Sequence, residues 1–137
     1  ALPIYPRRVS EPLRRTHSVP LRWRDTDALG HVNHAVMSSY LEVGRDAMLL
    51  AVLDPNLYVI VRMEMNFRAE LLLSAGEVTV ETAVASLGTS SMVLDEAVRD
   101  PHGTVIVESR TTVVQWDPTA RSSRAFTAGQ RSVLLGD

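Results

Sequence analysis

One long helical pattern organises this sequence. Apolar residues recur at steps of three and four between residues 36 and 52, which is the spacing of an amphipathic helix. Asn33 precedes the pattern as a suitable N-cap, and Pro55 disfavours the helical conformation at Asp54, so the helix is predicted to end there or slightly earlier. Roughly nineteen residues at about 1.5 Å each make a helix of about 28 Å. Its apolar stripe is so broad that we expect a sheet to wrap around it.

Strand patterns flank the helix on both sides. Residues 18–25 alternate between apolar and polar positions, and Pro20 makes this segment an edge strand or the start of one. In the segment 59–68 every second side chain is apolar, so one of its faces is expected to be dry. Further strands are predicted at residues 77–87, 91–99 and 104–116.

The connections between the last strands are short. Residues 100–103 read Asp-Pro-His-Gly, which places Asp, Pro and Gly where a type I turn favours them. Such short links imply an antiparallel meander. The element order of strand, long helix and four strands therefore predicts an α+β domain in which a single sheet clasps one helix.

The chain of 137 residues has the length of one domain. Residues 1–17 begin with several prolines and lack an apolar period, so we expect an extended N-terminal arm there. Residues 18–137 are expected to form the single domain. Near its end, Thr127 and Gln130 have the spacing of a capping box, which predicts a short C-terminal helix.

The composition excludes several kinds of chemistry. The chain has no cysteine, and all 14 of its basic residues are arginine. A thiolate nucleophile, a disulfide framework, a cysteine-ligated metal and a lysine Schiff base are therefore excluded. The carboxylates and histidines remain as candidates for nucleophilic or acid–base work.

The same composition bears on partners and location. The arginine-rich N-terminal segment lacks interleaved aromatic residues, so nucleic acid is not an expected partner. No apolar run approaches the roughly 20 residues that cross a bilayer, and no charged-then-apolar leader is visible. We therefore expect a cytoplasmic protein that does not use a membrane partner.

Four ionisable residues cluster in the turn-rich loop before the helix: Asp25, Asp27, His31 and His34. A carboxylate near a helix N-terminus faces free N–H groups and the positive end of the helix dipole, so it stays ionised and can act as a base or nucleophile. The same N–H groups can stabilise an oxyanion. The alternative is that the aspartates only cap turns and the histidines lie on the surface.

Metal binding by this loop is not favoured. The two aspartates and Gly30 begin like an EF-hand calcium loop, but Leu29 and Val36 stand where the fifth and twelfth positions require ligands. The two histidines are three residues apart across a loop-to-helix junction, unlike the one-face helical pair of zinc proteases. We expect no metal and no cofactor.

The stretch from Trp23 to His34 reads WRDTDALGHVNH and is followed by Tyr40, Glu42 and Arg45. It resembles the signature of hotdog-fold acyl-CoA thioesterases of the 4-hydroxybenzoyl-CoA thioesterase type. Residues 66–69, Asn-Phe-Arg-Ala, resemble the strand motif of that family, although the family has a proline where this chain has Glu70. The resemblance covers residues 18–118.

The resemblance implies a hotdog fold, in which a five- or six-stranded antiparallel sheet wraps one long central helix. It also implies a homodimer or homotetramer that hydrolyses an acyl-CoA, or an acyl carrier protein thioester, to the free acid and the thiol. Apart from the resemblance, the spacing of Glu42 and Arg45, one helical turn apart, predicts a local ion pair; the alternative is that Glu42 is the catalytic carboxylate.

The resemblance also implies roles for individual residues. Asp27 is the catalytic carboxylate, acting either as nucleophile or as general base. The helix start at Asn33 and His34 supplies the oxyanion donor, with a supporting role for the His34 side chain and a weaker case for His31. The substrate-binding residues are expected to be Tyr40, Arg68, Ser90 and Trp23.

Two other functions fit the same sequence. A hydratase or dehydratase on this fold would use an Asp and a His as acid and base on an enoyl thioester. An acyl-CoA binding module would use the aspartate only as a cap.

Overall fold

The computed structural model describes residues 11–53 and 57–137. The first ten residues of the predicted arm, together with Asp54 and Pro55, lie outside the described residues. The strands and helices are β1 (Arg14–Pro20), α1 (His34–Leu49), β2 (Tyr58–Phe67), β3 (Glu77–Leu87), β4 (Ser91–Arg99), β5 (Val105–Asp117), β6 (Ser122–Ser123) and α2 (Ala128–Leu135).

The main strands form one antiparallel sheet in the order β1-β3-β4-β5-β2. The short β6 pairs with the end of β5. The meander β3-β4-β5 is as predicted, whereas β2 lies beside β5 at the far edge of the sheet and not beside β3, its neighbour in sequence. This architecture confirms the predicted α+β class and the hotdog fold, with α1 as the helix that the sheet wraps.

The boundaries of α1 follow from local chemistry. Asn33 is the N-cap, and its side-chain oxygen accepts a hydrogen bond from the Ala35 N–H at 2.9 Å. The helix has 16 residues, which is about 24 Å. At Gly44 the helix passes so close to β3 that an added Cβ would collide with the Val80 side chain, so only glycine allows this approach.

The core has two apolar clusters, one under each half of α1. Met37, Tyr40 and Leu41 belong to the first cluster, and Met48 and Leu49 to the second. All five side chains are at most 3% exposed. The broad apolar stripe of the helix is therefore buried against the sheet, as its sequence pattern predicted.

A buried ion pair lies between the two clusters and corrects one prediction. Arg45 does not pair with Glu42, which is exposed. Its guanidinium instead donates to Glu96 on β4, with Nε to Oε2 at 3.0 Å and Nη2 to Oε1 at 2.9 Å. The helical spacing of three residues was a weaker constraint than burial, because Arg45 faces the sheet and Glu42 faces away from it.

Two strand predictions were inaccurate. The first strand spans Arg14–Pro20 and not residues 18–25, so the last residues of the predicted arm belong to the sheet. It is an edge strand, as Pro20 indicated. In β2, the face predicted to be dry is only partly covered within this chain, since Met65 packs against the core but Val61 is 59% and Phe67 51% exposed.

The remaining elements match their patterns closely. β3 and β4 begin and end where predicted, and β5 lies one residue later than expected. Thr127 and Gln130 form the predicted capping box at the start of α2. Within the described residues, no helix combines the length and apolar character needed to cross a bilayer.

Candidate active site

Asp25 anchors the loop that precedes α1. Its side chain is 2% exposed and accepts hydrogen bonds from the Tyr40 hydroxyl at 2.7 Å and from Arg22 Nη2 at 2.9 Å. Burial by itself would raise the pKa of Asp25, but the bonds from Arg22 and Tyr40 outweigh it and hold the pKa below its usual range. Its carbonyl also accepts from the Asn33 N–H at 2.8 Å. Asp25 therefore ties the loop to the helix start.

Asp27 lies two residues further on and is exposed. Its Oδ1 accepts from the backbone N–H of Leu29 at 2.9 Å and of His31 at 3.1 Å. Among the described residues, nothing donates a hydrogen bond to Oδ2. One carboxylate oxygen is thus fixed by the loop backbone, and the other has no hydrogen-bond donor among the described residues.

The first N–H groups of α1 have different partners. The Ala35 N–H is bonded to the Asn33 side chain and the Val36 N–H to the Asn33 carbonyl. The Asn33 N–H is already engaged with Asp25. Within the described residues, the His34 N–H has no acceptor, and it lies at the positive end of the helix dipole. Among the described residues, His34 therefore carries the free N–H at this helix start, and Asn33 is the cap.

Asp27 and His34 line a common cavity of about 240 Å³. It lies between the loop, the first turn of α1 and the end of β2. The His34 ring meets the Phe67 ring edge to face, with 5.9 Å between the centroids. The full lining is Asp27, His31, Val32, His34, Met37, Phe67, Ala69, Glu70 and Leu71. The structure therefore brings two of the three predicted catalytic residues, Asp27 and His34, together in one cavity, whereas Asn33 is not part of its lining.

The predicted substrate-binding residues lie outside this lining. The Tyr40 hydroxyl is committed to Asp25, and its burial raises its pKa. Trp23 is 81% exposed in the turn at residues 23–25. Arg68 follows Phe67 but points its guanidinium at Glu108, 3.2 Å away.

Ser90 lies at the other end of the sheet. On β5, Phe67 of β2 pairs with Val107, whereas Ser91 of β4 pairs with Val114. Seven strand residues separate those two positions, which is about 24 Å. Within one chain, Ser90 therefore cannot contact a group that is held at Asp27.

The sequence reasoning missed Glu70 as a site residue. Its Oε2 lies 2.9 Å from His31 Nε2, and both side chains line the cavity. The only signal in the sequence was a carboxylate in place of the proline of the family motif. Nothing local linked it to His31, which is 39 positions away in the chain.

In the described ranges, no group of three or more His, Asp or Glu side chains is placed to hold a metal ion. Asp27, His31, His34 and Glu70 share a cavity without converging on one point in that way.

A single antiparallel sheet around one long helix, with a carboxylate loop at the helix start, defines a hotdog-fold protein. The family model of the thioesterase superfamily matches residues 29–107, more than half of the chain. The protein belongs to the thioesterase superfamily. No curated protein matches the chain.

Solved structures show the same fold. A thioesterase from Thermus thermophilus, complexed with coenzyme A and Zn, is 27% identical over 87% of this chain and 90% of its own, with a TM-score of 0.79. A predicted thioesterase from Bacillus stearothermophilus is 24% identical over 89% and 94%, with a TM-score of 0.80. A hypothetical protein from Staphylococcus aureus in complex with CoA is 16% identical over 91% and 84%, with a TM-score of 0.79. The last two comparisons bear on the fold alone.

Proposed function

We propose that this protein is an acyl-CoA thioesterase, which hydrolyses a thioester to the free acid and coenzyme A. One observation carries the proposal: the free Oδ2 of Asp27 and the free N–H of His34 belong to residues that line the same cavity. A nucleophile or base and an oxyanion donor are what thioester hydrolysis requires. Membership of the thioesterase superfamily and the coenzyme A bound to the Thermus thermophilus thioesterase support the same function.

The reaction would proceed at the thioester carbonyl. With the carbonyl oxygen at the His34 N–H, the carbon faces Asp27, and either Oδ2 or a water deprotonated by Oδ2 attacks it. The negative charge that develops on the oxygen is stabilised by the N–H and by the helix dipole. Collapse of the tetrahedral intermediate breaks the C–S bond and releases the thiolate of coenzyme A. If Oδ2 attacks, water then hydrolyses the acyl–Asp27 anhydride.

The substrate carrier and the assembly are part of the proposal. We infer that the apolar β2 edge pairs with β2 of a second copy, giving at least a homodimer. A second chain would bring the Ser90 end of its own sheet near this cavity. Ser90 of the second copy would then reach a substrate held at Asp27, which Ser90 of the same chain cannot contact. The exposed Trp23 and Arg68 flank the loop and the end of β2, where a nucleotide or pantetheine arm would leave the cavity.

Asp27→Asn should abolish turnover. Loss of the carboxylate charge removes both the nucleophile and the base, so we expect kcat for acyl-CoA hydrolysis to fall at least about 100-fold. Thiol release can be followed with a disulfide reagent on acetyl-, hexanoyl-, palmitoyl- and benzoyl-CoA. The protein has no cysteine that would react with the reagent.

Asp100→Asn is the matched control. Asp100 also accepts two backbone N–H groups, from His102 at 2.9 Å and Thr104 at 3.0 Å. The offsets of two and four residues are the same as those at Asp27, but Asp100 has no helix start beside it.

Full activity of Asp27→Asn would refute the proposal, and saturable acyl-CoA binding without turnover in the wild type would indicate a binding module. Loss of the enoyl absorbance of crotonyl-CoA would indicate a hydratase instead.

A further inference from the structure

A histidine–glutamate pair lies beside Asp27 in the same cavity. His31 Nε2 is 2.9 Å from Glu70 Oε2, and the two side chains are 36% and 62% exposed. His31 is also linked to the catalytic loop through its backbone, because its N–H donates to Asp27 Oδ1 and its carbonyl accepts from the Asp27 N–H at 2.7 Å. The backbone of His31 is therefore fixed to the loop that carries Asp27.

The fold holds Glu70 against the loop. The segment after β2 runs antiparallel to residues 31–32, with a bridge between His31 and Leu72 and a hydrogen bond from the Val32 N–H to the Leu71 carbonyl at 2.7 Å. Glu70 comes immediately before these contacts in the chain. The backbone pairing therefore holds its carboxylate next to the His31 imidazole. An ion pair between two freely moving surface side chains would lack this constraint.

The pairing also determines which imidazole nitrogen can accept a proton. A carboxylate next to Nε2 favours the tautomer that carries its proton on Nε2, which leaves Nδ1 of the neutral ring as the acceptor. In serine hydrolase triads a carboxylate bonded to Nδ1 orients a histidine whose Nε2 is the general base; at His31 the two nitrogens exchange these places. Asp27 Oδ1 is already bonded to two N–H groups. Asp27 Oδ2 can therefore attack the acyl carbon while His31 accepts the proton.

We propose that His31 is the general base that activates the hydrolytic water, that Glu70 positions it, and that Asp27 is consequently the nucleophile. This inference rests on the proposed thioesterase function. In the first step Asp27 Oδ2 bonds to the acyl carbon, the C–S bond breaks, and the thiolate leaves with the electron pair. In the second step His31 Nδ1 takes a proton from water while the water oxygen bonds to the acyl carbon. The bond to Asp27 then breaks, the free acid leaves, and His31 returns its proton to the thiolate or to solvent.

The test separates the two steps. In Glu70→Gln and His31→Gln, the acyl–Asp27 anhydride should still form but should hydrolyse slowly. With the acyl-CoA that the wild type cleaves fastest, rapid mixing should show a burst of about one thiol per site, followed by a steady rate lower on the order of 100-fold. Intact-protein mass spectrometry of the quenched burst should find the acyl adduct. Hydroxylamine attacks an anhydride without a general base, so it should restore thiol release in both variants.

Controls identify a purely structural role. Glu81→Gln removes a carboxylate from another ion pair, 3.0 Å from Arg99 Nε and outside the cavity lining, and it should behave like the wild type. Glu70→Asp keeps the charge and should recover part of the steady rate. Thermal melting shows whether each variant is folded. If either Gln variant is unfolded, the burst and hydroxylamine measurements are made on Glu70→Asp. That variant should then show a burst with a slower steady rate, and faster thiol release with hydroxylamine.

Three results would overturn the inference. They are unchanged kinetics in the His31 and Glu70 variants, an equal fall in the burst and the steady rate, and no response to hydroxylamine. In each of these cases, loss of activity in Asp27→Asn would leave the thioesterase proposal standing. Retention of activity in Asp27→Asn would refute both.

Discussion

Two aspartates that are two positions apart have opposite environments. Asp25 is buried and bonded by side chains, whereas Asp27 is exposed and bonded by backbone N–H groups. The D-x-D spacing alone could not assign these roles, because both residues are equally suited to cap turns. The difference arises from Arg22 and from Tyr40, nearly two turns into α1, which both donate hydrogen bonds to Asp25.

Asp25→Asn should destabilise the protein in a pH-dependent way. The pKa of Asp25 is lowered in the folded state, so its stabilisation is present above the unfolded value of about 3.9 and is lost as the pH falls through the folded value. Hydrogen bonds to a charged group contribute about 1.5 to 3 kcal/mol, which predicts a Tm lower by roughly 5 to 10 °C at pH 7.

Thermal melts of the wild type and the variant between pH 7 and pH 3 check this prediction. The gap in Tm should narrow below about pH 4. Tyr40→Phe removes one hydrogen bond but keeps the carboxylate, so it should cost about 1 kcal/mol. A gap for Asp25→Asn that stayed constant across this pH range would contradict the assignment of the stabilisation to the ionised carboxylate.

The main polar contact between α1 and the sheet is the buried pair of Arg45 and Glu96. Both side chains are fully buried. Burial would lower the pKa of Arg45, but the hydrogen bonds from its guanidinium to Glu96 raise it, so the guanidinium stays charged. In the part of the chain that the structure describes, Arg45 Nη1 and the neighbouring Thr82 hydroxyl lack hydrogen-bond partners. The pair therefore bears an uncompensated desolvation cost.

Removal of one partner should cost more than removal of both. Arg45→Met leaves Glu96 charged and buried without a counter-ion, so we expect a loss of about 3 to 5 kcal/mol in the free energy of unfolding. The double variant Arg45→Met with Glu96→Leu should recover most of that loss. The free energy of unfolding of both variants is measured with urea. A double variant as unstable as the single one would contradict this prediction, because it would show that the ion pair stabilises the fold by more than the neutralisation of each other's buried charge.

At the scale of the whole molecule, the sheet formed by the described residues has two edge strands, β1 and the longer β2. Among the described residues β2 bonds only to β5, and several of its apolar side chains are exposed, namely Val59, Ile60, Val61 and Phe67. An exposed apolar edge of ten residues is a template for pairing with another strand. A second copy of β2 would cover it, as the proposed homodimer requires.

Val61→Lys should weaken this assembly. Val61 is 59% exposed in the single chain, so a lysine there is tolerated by the monomer but opposes edge pairing through its charge. Sedimentation analysis should show a shift from dimer towards monomer, with a parallel loss of thiol release. Val133→Lys, at another exposed valine on α2, should leave the assembly unchanged. A wild type that sediments as a monomer would contradict the dimer.

Much of the fold was predictable because its signals are local. Apolar side chains that recur about every 3.6 residues predicted α1, and those that alternate every second residue predicted β3 and β4. The caps at Asn33 and Thr127 depend only on side chains within three residues of each helix start. The resemblance to thioesterases directed attention to Asp27 and the helix start, and the structure places these in one cavity. Their catalytic roles stay predictions until the variants are measured.

The sequence by itself determined α1, α2 and the strands β2 to β5, since these segments follow from neighbours in the chain. The bounds of β1 depend on its pairing with β3. The tertiary structure alone decided that Arg45 meets Glu96, that β2 is an edge strand, and that Glu70 lies against His31. These contacts join residues that are tens of positions apart, and no periodicity encodes such pairings. They depend on how the sheet closes around α1, where burial and backbone pairing outweigh proximity in sequence.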